Sequence, residues 1–207
     1  MRIAREGLPF IAVALVLLAL FALWHWVAAL LWLPIALWTV AFFRDPPRDR
    51  VRGDDLILAP ADGLVVSVVP MDEASFLGGP STRVSIFMNV FNVHVNRYPA
   101  TGTVALREYQ PGAFLNAMVE KASTDNEQAS IGLETARGRI LIRQIAGLVA
   151  RRIVTDHQVG REVGQGDRLG LIRFGSRVDV FLPPNTQVAV RDGERTRAGE
   201  TVVARWK

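Results

Sequence analysis

From Leu8 to Phe43 the chain runs through 36 residues in which His25 is the only titratable side chain, whereas charged residues recur through nearly everything after Arg44. One helix over that stretch would be roughly 54 Å long at 1.5 Å per residue, against a hydrocarbon core of about 30 Å. A single straight span is too long. Two arms of about 17 residues turning near His25-Trp26 fit as a helical hairpin or re-entrant pair, with both ends on one side of a bilayer. Beyond Leu56 the pattern changes to short β-branched runs separated by turn residues, which favours strands over helices. The strands expected are 63–69, 83–87, 102–109, 139–145, 169–174, 178–182, 186–190 and 201–205, with a short helix or a loop containing one at 113–123. The fold class is therefore mostly β (α+β): a barrel- or sandwich-like soluble domain of short antiparallel strands behind an N-terminal hydrophobic helical hairpin.

A weak internal repeat supports related halves. Gly160-Arg161-Glu162-Val163-Gly164-Gln165-Gly166-Asp167 resembles Gly193-Glu194-Arg195-Thr196-Arg197-Ala198-Gly199-Glu200 at an offset of 33 residues. In both copies a glycine is followed six residues later by Gly-acid, which fits two hairpins of similar build.

Charge sharpens the picture of the apolar segment. Arg2 and Arg5 precede it and Arg44, Arg48 and Arg50 follow it, so the positive-inside rule puts both ends in the cytoplasm, with Trp24, Trp26, Trp32 and Trp38 as interfacial anchors. A secretory signal peptide is the competing reading, but the apolar run is too long for one and no small-residue cleavage site precedes Arg44. The expected organisation is an anchor over residues 1–43, a linker stiffened by Pro46-Pro47 over 44–55, and a domain over 56–207 at the cytoplasmic face of the cell membrane. Cysteine is absent, which removes disulfides, thiolate metal sites and cysteine nucleophiles. Only Lys121 and Lys207 are lysines among 24 basic residues, so few amines could form a pyridoxal Schiff base. The arginine bias follows from a GC-rich genome or from a use for guanidinium forks on phosphates and carboxylates.

The candidate chemistry centres on Gly175-Ser176. A serine hydroxyl can attack the carbonyl of the residue before it, and a glycine there removes the Cβ that would hinder the approach. Taken alone, the pair reads as a tight turn. An attacking serine needs a base, and the domain offers two histidines. His94 lies in the extended stretch Asn92-Val93-His94-Val95-Asn96-Arg97, and His157 in the polar stretch Thr155-Asp156-His157-Gln158. Asp62, in Pro60-Ala61-Asp62-Gly63, is a candidate carboxylate partner, and its plain reading is a turn with Asp-Gly at the corner.

Together, Phe42-Phe43-Arg44-Asp45-Pro46, Pro60-Ala61-Asp62-Gly63, Asn92-Val93-His94-Val95-Asn96-Arg97 and Phe174-Gly175-Ser176-Arg177 resemble the short form of phosphatidylserine decarboxylase, in order and spacing, along nearly the whole chain. The resemblance implies a proenzyme in which Ser176 attacks Gly175 to form an ester. Elimination then leaves a large chain, 1–175, and a small chain, 176–207, whose first residue becomes a covalent pyruvoyl group. The two chains stay together as a heterodimer through shared strands, with a higher oligomer as a further possibility. Ser176 would thus be pyruvoyl precursor and Schiff-base site, Gly175 the scissile carbonyl, His94 the base and Asp62 its orienting carboxylate. The implied reaction converts phosphatidylserine to phosphatidylethanolamine and CO₂ with no metal, no pyridoxal phosphate and no nucleic acid partner.

Longer members of the family carry two histidines three residues apart in this region. Here His94 is followed at that spacing by Arg97, which leaves the assignment of the base open. Arg97 and Arg177 become candidate contacts for the substrate's phosphate or carboxylate. Two other classes compete: a non-enzymatic membrane adaptor on a β-sandwich, and a pyruvoyl decarboxylase of a soluble amino acid. The apolar segment argues against the last, since a soluble substrate gives no reason to hold the enzyme at a bilayer.

Overall fold

The computed structural model describes residues 2–48, 52–118, 122–147, 152–173 and 175–207. Residues 49–51 of the expected linker, 119–121 of the expected helical stretch and Phe174 lie outside these. The chain divides into two compact units, one ending at Pro47 and the other starting at Arg48.

The first unit is the helical hairpin. Helices α1 (Leu8–Trp24) and α2 (Trp26–Phe42) have 17 residues each, and His25 between them is extended, at φ −161° and ψ 121°. His25 breaks the helix because its Nδ1 accepts the Val27 amide at 3.2 Å and so caps the start of α2. Near mid-length the Trp32 indole donates to the Ala14 carbonyl at 3.0 Å, and its ring meets Phe21 edge-on. At the open end Arg2–Ile3 pairs antiparallel with Arg44–Asp45, which brings the two charged flanks together. Leu23, Trp24, Trp26 and Leu31 are 70–86% exposed, so the hairpin turns large apolar side chains outward.

The second unit is built on one antiparallel sheet of eight strands. In chain order these are β1 (Gly63–Glu73), β2 (Gly79–Met88), β3 (Gly102–Gln110), β4 (Gln128–Thr135), β5 (Gly138–Ala146), β6 (Glu162–Val163), β7 (Ser176–Leu182) and β8 (Arg195–Thr196). Their spatial order is β6-β3-β4-β5-β7-β2-β1-β8. Among the described residues, two three-stranded sheets accompany it: Ile153–Thr155, Arg168–Ile172 and Val95–Arg97 in one, Thr186–Val188, Val202–Trp206 and Leu56–Leu58 in the other. Strand β7 lies between β5 and β2 and is buried on both faces. Val178, Val180 and Leu182 join Val84, Ile86, Ile140 and Ile142 in the core, while Arg177 and Asp179 alternate onto the opposite face.

The expected strands are present: five are one to five residues longer, 169–174 and 186–190 are shorter, and 201–205 keeps its length but shifts by one residue. Among its described residues, the stretch 113–123 holds the start of a single helical turn, Ala122–Asp125. Strand β4 was not expected from the pattern. Its pattern was readable, since Ala129, Ile131 and Leu133 alternate with Gln128, Ser130, Gly132 and Glu134 and join the core, and six of its eight residues are buried. Gly132 stands where a Cβ would meet the Phe76 ring at 2.7 Å.

The repeat is real in three dimensions. Gly160 and Gly193 have φ of 88° and 86°, Gly166 and Gly199 of 79° and 74°. Their amides donate to matched partners 39 residues apart: Gly160 to Val104 and Gly193 to Val65, Gly166 to Tyr98 and Gly199 to Ala59, all at 2.8 Å. One half contains Val95–Arg97, β3, β4, β5, Ile153–Thr155, β6 and Arg168–Ile172. The other contains Leu56–Leu58, β1, β2, β7, Thr186–Val188, β8 and Val202–Trp206, so the first half is inserted between β2 and β7 of the second. The chain crosses between halves twice, after Met88 and before Ser176.

Candidate active site

Both crossings converge on the Gly175-Ser176 peptide. Gly175 has φ +73°, in the left-handed region that a side chain at this position would oppose. Ser176 opens β7 and is paired on one side with Met88 of β2 and on the other with Ala146 of β5. Its hydroxyl is fully buried and makes no hydrogen bond among the described residues. A buried polar atom without a partner costs about 1–3 kcal/mol, so this hydroxyl is not held for stability.

His94 comes from the other crossing and is fully buried. Its Nδ1 lies 3.0 Å from the Asn92 carbonyl, and its Nε2 accepts the Gly175 amide at 3.3 Å. The pair of contacts assigns the tautomer: Nδ1 carries the hydrogen and donates, Nε2 carries the lone pair and faces the Gly175-Ser176 segment. The loop before it is braced by its asparagines. Asn92 Oδ1 accepts the Asn89 amide and Asn89 Oδ1 accepts the Phe91 amide, both at 2.9 Å.

On the far face of β7, Arg177 Nε and Nη2 bind the two oxygens of Asp179 at 2.8 and 2.9 Å. Arg177 Nη1 also reaches the Ala117 carbonyl at 3.3 Å, and Ser123 donates to Asp179 at 3.3 Å. Arg143 lies over the Phe181 ring at 4.9 Å. Burial lowers its guanidinium below the ordinary arginine value, against the pull of Asp179 and Glu73. Arg177, read from sequence as a contact for substrate phosphate or carboxylate, is thus a buried fork on its own chain. Arg97 is also buried and donates to the Gly166 carbonyl at 3.1 Å.

The structure does not bring Asp62 to the imidazole. Its oxygens accept from Arg48 Nη2 at 2.9 and 2.8 Å, and Oδ1 also accepts the Ala198 amide at 2.8 Å. Thr101 does the same in the other half, where its hydroxyl accepts the Gln165 amide at 3.1 Å. Asp62 and Thr101 precede Gly63 and Gly102, and Ala198 and Gln165 precede Gly199 and Gly166, so the carboxylate occupies a turn-bracing position shared by both halves. His157 packs beside Tyr98, ring centres 5.6 Å apart, and makes no hydrogen bond to Gly175 or Ser176. A cleft of about 730 Å³ lined by Thr101, Glu134, Arg137, Glu162 and Trp206 contains none of Gly175, Ser176 and His94.

Sequence reasoning missed Gly147, whose backbone lies against the Gly175 carbonyl, and Asn126. The Asn126 amide donates to the Ala146 carbonyl at 2.7 Å and the Leu115 carbonyl at 2.9 Å, and its Oδ1 accepts the Leu115 amide at 2.9 Å. It clamps the end of β5 to the 113–118 loop. No short-range pattern marks either residue, because each acts across tens of residues.

The site thus places a buried, unbonded serine hydroxyl directly after a left-handed glycine whose amide donates to an imidazole nitrogen. Comparison with known proteins gives the family. A family model described as phosphatidylserine decarboxylase matches residues 35–204. The phosphatidylserine decarboxylase proenzyme of Xanthobacter autotrophicus is 50% identical over 204 residues, covering 97% of this chain and 88% of the relative. The proenzyme of the same description from Symbiobacterium thermophilum is 49% identical, covering 98% and 95%, and that of Geobacter sulfurreducens 47%, covering 97% and 95%. The chain belongs to the phosphatidylserine decarboxylase family and is a decarboxylase.

Proposed function

We propose that the chain is a proenzyme that cuts itself between Gly175 and Ser176, and that the cut pair decarboxylates phosphatidylserine to phosphatidylethanolamine. The observation that carries this reading is the unbonded Ser176 hydroxyl beside the His94–Gly175 contact. In the first step the Gly175 amide releases His94 Nε2, the Ser176 Oγ bonds to the Gly175 carbonyl carbon and its proton passes to the freed Nε2. The Gly175–Ser176 C–N bond then breaks as the serine nitrogen takes up a proton, leaving an ester. Loss of the Ser176 α-hydrogen and of the Cβ–Oγ bond frees the carboxylate of Gly175, and hydrolysis at residue 176 releases ammonia.

The residues present fit a pyruvoyl group at position 176. Residues 177–181 pair with β2 on one side and β5 on the other, so a new terminus at 176 would keep its place after the cut. The small chain would also contribute β8 and the strands Thr186–Val188 and Val202–Trp206, which supports a lasting heterodimer. Once formed, the pyruvoyl carbonyl supplies the electron sink that decarboxylation needs. His94 then holds a proton near residue 176. Asp62 acts at one remove: the carbonyl of Pro60, in the turn that it braces, accepts the Arg97 amide at 2.9 Å and so fixes the strand that continues from His94.

The outward apolar hairpin, with Arg2, Arg5 and Arg44 at its open end, supports anchoring at the cytoplasmic face. The test is to add purified protein to vesicles containing phosphatidylserine and measure phosphatidylethanolamine. The parent should form it and Ser176→Ala should not; equal product from both would refute the reading.

A further inference from the structure

The residue opposite the scissile carbonyl is a glycine, and no backbone conformation demands it. Gly147 is not among the glycines with positive φ, so its torsions are open to other residues. Space is what it supplies. A Cβ built on Gly147 would stand 2.3 Å from the Gly175 carbonyl oxygen and 3.1 Å from its carbon, with the Ala117 methyl at 3.3 Å behind it. The pairing of Ala146 with Ser176 in the β5–β7 ladder places Gly147 opposite Gly175.

Neither side can move away cheaply. Ala146 donates its amide to the Glu127 carbonyl at 2.9 Å, and its own carbonyl is held by the buried Asn126 amide at 2.7 Å. Ala117, on the third side, has its carbonyl bound by the Arg177 guanidinium, which Asp179 fixes in turn. The Gly175 amide is engaged by His94. A carbonyl oxygen pressed on a fixed backbone has one orientation, and a near-attack geometry depends on holding it within a fraction of an ångström.

We propose that Gly147 is a positioning residue for self-cleavage: the bare Cα at this position sets where the Gly175 carbonyl oxygen lies when the Ser176 hydroxyl adds to its carbon. This rests on cleavage at Gly175-Ser176. A Cβ at 147 would push the oxygen aside and misdirect the carbonyl while leaving nucleophile and base intact.

The experiment compares Gly147→Ala with Gly102→Ala in the full chain. Gly102 provides a matched insult away from the cut, since its Cβ would stand 2.2 Å from the Glu134 carbonyl oxygen. Processing is followed by intact mass and folding by the thermal unfolding midpoint, alongside the parent and Ser176→Ala. Gly147→Ala is expected to slow processing at least tenfold while its midpoint falls no further than that of Gly102→Ala, which processes at the parent rate. Processing of Gly147→Ala at the parent rate would overturn the proposal. So would equal slowing in both glycine variants, or failure of Gly147→Ala alone to fold, since either makes the position one of general packing. An uncut parent would instead remove the cleavage reading beneath it, and is told apart by the parent and Ser176→Ala traces alone.

Discussion

His94 Nε2 accepts the amide of Gly175 at 3.3 Å across 81 positions of sequence. The two residues lie on the two crossings between the halves of the domain, so the contact exists only when both halves are folded around each other. Under the proposed mechanism, a base assembled this way would keep the chain from cutting itself before both halves have folded.

From that contact, His94→Ala should slow self-cleavage by about a hundredfold or more, the usual contribution of a positioned base. His157→Ala, which removes only a ring packed beside Tyr98, should process at the parent rate. Timed mass spectrometry of freshly purified chains measures both, and equal rates in the two variants would take His94 out of the mechanism.

Breaking the buried pair behind Ser176 should cost far more than a surface change. Asp179 is fully buried between Arg177 and Ser123, so Asp179→Ala strands a buried guanidinium, at about 3–5 kcal/mol. Replacing both with apolar residues, as in Arg177→Met with Asp179→Leu, should recover part of the loss, since the buried Arg83, 4.0 Å from Asp179, keeps its charge. Denaturant unfolding in detergent, done in the Ser176→Ala background so that cutting does not intervene, gives the comparison.

Glu73 predicts an acid limb to stability. Burial pushes its carboxyl up, but the Leu77 amide, the Ser75 hydroxyl and the Phe76 and Ser75 amides outweigh burial and hold it below the ordinary value of 4.5. A carboxyl depressed in the folded state adds stability above its unfolded value, and that stability is lost as pH falls through the folded one. Glu73→Gln should therefore cost about 1–2 kcal/mol at neutral pH, with the gap to the parent closing below pH 4.5. Unfolding midpoints from pH 7 to pH 3 would show it; a constant gap would contradict it.

Tyr98 should resist alkaline titration. Burial, with the Asp156 charge behind it, raises its phenol to about 12. In Tyr109→Phe it is the only tyrosine, so phenolate absorbance should stay absent through pH 10 in the folded protein and appear there once the chain is denatured. A raised phenol favours the fold below its unfolded value, and the contribution is lost as pH climbs toward 12.

The sequence was most legible where the physics is local. An uncharged run broken by a histidine gives two helices and a turn, and β-branched runs between glycines give strands. Gly175-Ser176 could be picked out because the proposed nucleophile and its target are adjacent. What it hid was non-local. Asp62 was a candidate partner for His94, and its plain reading as the corner of an Asp-Gly turn fits its bonds; hidden was that Thr101 holds the matching place in the other half. Arg177 looked free for a ligand until Asp179, two residues on, proved to lie on the same face of β7. Gly147 carries no signal in its own segment, since what crowds its Cα is the Gly175 carbonyl, which the fold brings in from just before β7.

The most direct test of self-cleavage is intact mass spectrometry of the purified parent beside Ser176→Ala. The parent should give two chains, 1–175 and 176–207, with the smaller one blocked to N-terminal sequencing, and Ser176→Ala one uncut chain of 207 residues. A parent that forms phosphatidylethanolamine while remaining a single uncut chain would contradict the account.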